Sequence, residues 1–171
     1  MRTLVVYSSR TGNTKMIAEA VAEAVGPCDI HPMESAPAAD EYDFVAIGYW
    51  VDKGMPDEAC QAYMKTVKGK KVGLFGTLGV DPSHDHARDC AAKGEAMMLE
   101  NGSGNTVLGT FLSQGKIDPA IIEAMRKMAQ DVHPMTPERI ARIEAAKSHP
   151  NAEDCQNARE MFAGFLKAAT A

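Results

Sequence analysis

A chain of 171 residues suits a single domain with a sizeable buried core, and its 45% apolar and 24% charged residues exclude a globally disordered polymer. The net charge of -5 argues against nucleic-acid binding, which calls for a basic excess, but leaves room for an acidic face that docks a basic partner. Its four cysteines, Cys28, Cys60, Cys90 and Cys155, form no C-x-x-C pair, and neither a signal-peptide pattern nor a membrane-length apolar run is visible. The expectation is a cytoplasmic protein with free thiols.

In chain order, Thr3–Tyr7 is a short apolar, β-branched run that reads as a buried strand. Residues 14–25 read as a helix with Met16, Ile17, Ala20, Val21 and Ala24 at helical spacing, stopped by Gly26-Pro27. Cys28–Met33 is a weaker strand placed toward a sheet edge, and Asp43–Gly48 is the next clear strand. A loop is expected over Tyr49–Gly54, then a helix from Pro56 to Val67 with Pro56 in its first turn and Asp57-Glu58 at its positive end. Lys71–Gly76 is a fourth strand, followed by Thr77-Leu78-Gly79 as its loop. Ser83 is expected to cap a helix running to Glu100 and ended by Asn101-Gly102, and Asn105–Leu112 is the fifth strand. Helices are predicted over 117–130, 137–147 and 153–168, the last with Ala158, Met161, Phe162, Phe165 and Leu166 on one side. Strands alternating with helices in this way predict a parallel α/β sheet. The eleven methionines read as core filler, with Met97, Met98, Met125 and Met128 as candidates for an adaptable docking surface.

The segment Ser8-Ser9-Arg10-Thr11-Gly12-Asn13-Thr14 lies between a strand and a helix. Hydroxyls, an amide and a glycine ahead of a helix start make a phosphate cradle: the first-turn N–H groups are free, the helix dipole is positive there, and glycine lets the backbone come close. A Walker loop, a G-x-G-x-x-G fingerprint, a nucleophilic cysteine and the acidic residues of a receiver domain are each absent from this position. The plainer reading is a polar turn with an N-cap.

This stretch resembles the flavodoxin signature, an apolar strand followed by S/T-x-T-G-x-T. The resemblance covers residues 1–112, with 153–169 as the closing helix, and 113–150 as a helical insertion in a single domain spanning 1–171. It implies an α/β flavodoxin-like doubly wound sheet of five parallel strands in the order 2-1-3-4-5 with flanking helices and extra C-terminal helices. It also implies flavin mononucleotide (FMN) at the switch point. Ser9, Arg10, Thr11, Gly12, Asn13 and Thr14 would then hold its phosphate.

Two further loops would reach the flavin ring. The aromatic pair Tyr49-Trp50, with Val51 and Asp52, follows the third strand, and the sole tryptophan suits stacking on a flat ring. Thr77, Leu78 and Gly79 would contact the pyrimidine edge. Asp52 and Asp81 would lower the last reduction potential by disfavouring an anionic reduced flavin, with Lys53 opposing them. The chain departs from the family pattern at Val51, where many flavodoxins have glycine for the peptide flip that stabilises the semiquinone. It also carries no tyrosine in the loop after the fourth strand.

Asp81, His84, Asp85, His86, Asp89 and Cys90 form a possible metal set, although their spacing matches no known motif; His84 or His86 assisting proton transfer at the flavin edge is the better reading. The segment 113–150 reads as a cover on the sheet edge, or as a docking surface or wall beside the flavin. Arg126, Lys127, Arg139, Arg142 and Lys147 make it locally basic. The resulting expectation is an electron carrier, with a reductase or ferredoxin as donor and a reductase-type enzyme as acceptor. The alternatives are an NAD(P)H-dependent FMN or quinone oxidoreductase on the same fold, and a phosphate-binding module without flavin.

Overall fold

In a computed structural model, the described residues are all of 1–171 except 101–102, 129–130 and 132–133. The elements run β1 (Thr3–Tyr7), α1 (Asn13–Val25), β2 (Asp29–Pro32), β3 (Phe44–Asp52), β4 (Met55–Pro56), α2 (Glu58–Met64), β5 (Lys71–Leu78), α3 (Asp85–Leu99), β6 (Thr106–Gln114), α4 (Pro119–Lys127), α5 (Pro137–Ala146) and α6 (Ala152–Thr170). The main strands are all parallel and take the order β2-β1-β3-β5-β6, with the short β4 antiparallel to the end of β3. This is the doubly wound flavodoxin-like arrangement.

Burial on both faces explains why the central strands are nearly all apolar. On one face Val5, Phe44, Ala46, Phe75 and Phe111 pack against Ile17, Ala18 and Val21 of α1 and Ala158 and Phe162 of α6. On the other, Leu4, Val6, Val45, Ile47, Tyr49 and Leu74 pack against Cys60 and Met64 of α2 and Met98 of α3. The buried stripe of α1 is Ile17, Ala18, Ala20, Val21 and Val25, whereas Met16 is exposed. Met161 is likewise exposed on α6. No helix among the described residues is long and apolar enough to cross a membrane.

Four sequence expectations are corrected. The loop over Tyr49–Gly54 is largely strand: β3 continues to Asp52 and turns back into β4 through Lys53-Gly54, both with positive φ (50° and 79°), as a tight two-residue hairpin requires. Pro56 therefore belongs to β4, and α2 starts at Glu58 with Asp57 as its cap. Thr77 and Leu78 are likewise the last residues of β5 rather than loop. Ser83 does not cap α3; the cap is His84, whose ring nitrogen accepts from the His86 amide, while Ser83 bonds to Asp81. The expected stop at Asn101-Gly102 and the break at His133 lie outside the described residues.

In the segment after β6, α4 has no fully buried side chain and α5 only Ala146, while Ile117, Ile121, Ile122 and Met125 are partly buried. Two of its cations are paired locally, Lys127 with Glu123 and Lys147 with Glu144.

Candidate functional site

The carboxyl ends of β1, β3, β5 and β6 meet at one edge of the sheet, where open α/β sheets bind ligands. The loop after β1 feeds α1, and its cap position is Gly12 at φ 93°, a left-handed conformation that suits glycine. Gly12 supplies no side-chain cap, and the first turn carries no acid. The other α-helices are capped by Asp57, His84, Asp118, Thr136 and Asn151. Within the loop, Ser9 Oγ accepts from the amides of Gly12 and Lys15 at 3.1 and 3.2 Å. The amides of Asn13 and Thr14 have no partner among the described residues. Open donors at the positive end of a helix form an anion seat, so these residues fit a phosphate group.

The other loop residues sit around that seat. Thr11 and Gly12 are exposed, and Ser9 and Asn13 are half-buried. Thr14 is buried, its hydroxyl 2.9 Å from that of buried Thr77 at the end of β5, which ties the start of α1 to the central sheet. Arg10 extends sideways: its Nε lies 2.9 Å from Asp118 Oδ2 and its guanidinium sits 5.6 Å from the centre of the Trp50 ring.

The aromatic pair splits. Trp50 is half-buried beside the phosphate loop, with the Arg10 guanidinium over its ring. Tyr49 is fully buried under α3, so its side chain is not a stacking surface. The cause is the continuation of β3, in which successive side chains face opposite sides of the sheet. Burial pushes the Tyr49 hydroxyl pKa up, and that hydroxyl has no hydrogen-bond partner among the described residues. Val51 pairs with Pro56 in the hairpin ladder, which restrains its backbone, and Asp52 is half-buried beside it. Leu78 is buried, while Gly79 stands half-exposed at the mouth.

The histidines are exposed on the α3 side: His84 caps α3, and His86 Nε2 lies 3.6 Å from the buried thiol of Cys90. The Ser83 hydroxyl holds the Asp81 carboxyl below its usual range. Among the described residues, no group of three or more His, Cys, Asp or Glu is arranged to hold a metal ion.

One residue of the site is not among those expected from the sequence. Asp57 is 3% exposed and joins two of the loops: its Oδ1 accepts from Ser8 Oγ at 2.8 Å, and its amide donates to Trp50 O at 3.1 Å. Its Oδ2 is buried without a partner among the described residues. Burial raises its pKa above the ordinary carboxylate value, against the lowering effect of the Ser8 hydroxyl and nearby amides. The only local signal is that of an Asp ahead of a helix, which reads as a cap and nothing more. Below the unfolded pKa near 3.8 both states hold the proton and the folded state bears no penalty. As pH rises toward the folded pKa, the unfolded chain releases its proton first and stability falls. Asp57→Asn should therefore flatten the fall of the urea midpoint as pH rises above the ordinary carboxylate value of 3.8. Equal slopes in the two proteins would show that Asp57 titrates normally.

A family model described as flavodoxin domain matches residues 4–163. The flavodoxin-like domain-containing protein BilS of Clostridioides difficile (strain CD3) is 32% identical over 171 residues, covering 95% of this chain and 94% of that protein. Among solved structures, oxidised Flavodoxin 2 from Bacillus cereus superposes with a TM-score of 0.64 at 16% identity, covering 98% of this chain and 99% of that one. The flavodoxin, WrbA-like protein from Agrobacterium tumefaciens also gives 0.64, at 17% identity and coverages of 99% and 97%. At these identities the two structures carry the fold alone.

Proposed function

Because this chain belongs to the flavodoxin domain family, we propose that it binds FMN at the β1, β3 and β5 edge and serves as an electron carrier. Its donor would be a reductase or ferredoxin and its acceptor a reductase-type enzyme, met in the cytoplasm. The observation that carries the reading is the uncapped start of α1. This helix leaves first-turn amides open to an anion, one strand away from the chain's sole tryptophan. When bound, the flavin supplies the reversible uptake of one or two electrons.

The protein's own residues do the rest. The Ser9–Thr14 loop seats the phosphate through backbone and hydroxyl donors, and the Thr14–Thr77 pair fixes that loop to the sheet. Asp57 ties Ser8 to the Trp50 backbone, so the phosphate side and the ring side of the cleft are held at a set separation. Burial raises the Asp57 pKa above the ordinary carboxylate value, against the lowering effect of the Ser8 hydroxyl.

A second reading, an NAD(P)H-dependent FMN or quinone oxidoreductase, draws on the residues Gly79-Val80-Asp81-Pro82, which carry no aromatic ring to cover the opposite face of a flavin. Titration of FMN into the protein, followed by flavin fluorescence, is expected to give quenching that saturates at one equivalent. Stepwise anaerobic reduction should then bleach the visible bands in two stages for a one-electron carrier. Single-stage bleaching, together with NADPH-driven quinone reduction in the absence of any added reductase, would support the second reading. Failure to bind FMN would overturn both.

A further inference from the structure

We propose that Asp118 is a positioning residue of the cofactor site, acting through Arg10 on Trp50, so that the helical segment it begins is clamped to the aromatic wall of the cleft. The cofactor half of this inference rests on the FMN reading above.

Residues 114–118, from the last residue of β6 to the cap of α4, close down on two parts of the site. Toward β5, the Gly115 amide donates to Leu78 O at 2.8 Å and Gln114 Nε2 to Gly79 O at 3.2 Å. The Ile117 side chain lies so near Gly79 that a Cβ there would come within 2.9 Å of it. Toward the phosphate loop, Asn13 Nδ2 donates to Lys116 O at 2.9 Å. The far end of the segment returns to the same place, since the Lys116 amide donates to His149 O at 2.8 Å. These bonds make 114–118 a strap across the cleft, gripping the phosphate loop on one side and the end of β5 on the other.

Asp118 ends the strap and divides its carboxylate between two tasks. Oδ1 accepts from the Ala120 amide at 2.8 Å and caps α4, while Oδ2 takes the Arg10 Nε at 2.9 Å. The Asp118 side chain is 19% exposed and that of Arg10 46%, so the carboxylate is the more fixed member of the pair. With its Nε held by Asp118, the Arg10 guanidinium carbon lies over the Trp50 ring, a cation–π placement. Without the carboxylate, Arg10 is a long side chain on an exposed loop with nothing to choose that orientation.

The test separates charge from capping. Asn and Ser cap a helix about as well as Asp, so Asp118→Asn and Asp118→Ser delete the charge and keep the cap. Trp50 is the only tryptophan in the chain, so intrinsic emission reports its surroundings before any cofactor is added. Asp118→Asn and Arg10→Ala are expected to change that emission in the same direction and by similar amounts, and the double variant should add nothing further. Each should raise the FMN dissociation constant about 3- to 10-fold, again without additivity. Far-UV circular dichroism and the urea midpoint check folding; if Asp118→Asn loses helix, Asp118→Ser and Arg10→Ala carry the comparison. Emission that moves with Arg10→Ala but not with either Asp118 variant would overturn the proposal, and so would additive effects in the double variant. A wild-type protein that binds no FMN would sink the cofactor reading while leaving the emission comparison to decide the clamp. FMN binding and emission both unaltered by the variants would overturn the clamp and leave the cofactor reading standing.

Discussion

Phe162→Ala is expected to lower stability by about 3–5 kcal/mol, the usual cost of emptying a buried aromatic site. Phe162 is fully buried on α6 and sits at the centre of an aromatic cluster: its ring meets Phe75 edge-on at 5.7 Å and Phe165 at 5.0 Å. Phe75 is itself fully buried in β5, the strand that carries Thr77 to the site, so the cavity would open beneath the seat of the phosphate loop. The polar link between the same helices should matter far less. Arg159 and Glu23 join α6 to α1 at 2.7 Å, but both side chains are solvated, and exposed pairs of this kind contribute about 0–1 kcal/mol. Urea denaturation should show a large drop in midpoint for Phe162→Ala and almost none for Arg159→Ala. Comparable shifts would mean that α6 is held by its surface charges rather than by its aromatic face.

The central strands are legible in the sequence because each is buried on both faces and reads as an unbroken apolar run, as in Leu4-Val5-Val6 and Val45-Ala46-Ile47, while their order is legible only through the flavodoxin resemblance. The phosphate loop is legible for a different reason: its chemistry is local, carried by consecutive residues between one strand and one helix. What escapes the sequence is mostly long-range. Nothing near Asp57 signals that its carboxylate meets Ser8, 49 residues earlier, or that Asp118 lies against Arg10. The length of β3 is hidden because Tyr49-Trp50-Val51-Asp52 mixes aromatic and acidic residues. Its hairpin turn is Lys53-Gly54 rather than the Asn-Gly or Asp-Gly that marks such turns. Once β3 is extended, the fate of Tyr49 follows from alternation alone. The capping of α3 could not be settled from the sequence because Ser83 and His84 both offer acceptors; Asp81 engages Ser83 and leaves the helix start to His84.

Gly12→Val should all but abolish FMN binding, raising the dissociation constant 100-fold or more by an order-of-magnitude expectation (~3 kcal/mol). Two effects combine there. The residue sits at φ 93°, where a β-branched side chain is strained by about 1–3 kcal/mol. A Cβ at Gly12 would meet no protein atom within 4 Å, so the new side chain points into open space at the mouth of the phosphate seat. That open space makes the experiment informative: whatever affinity is lost beyond the strain reflects a clash with the ligand and not with the protein. Gly26 provides the control at the other end of α1. It too has positive φ, at 76°, and a Cβ there would likewise meet no protein atom within 4 Å. Gly26→Val should therefore lower the urea midpoint without weakening FMN. If both variants lose FMN in proportion to their loss of stability, Gly12 acts only as a helix terminus and the phosphate lies elsewhere. If only Gly12→Val loses it, the start of α1 is where the cofactor is held.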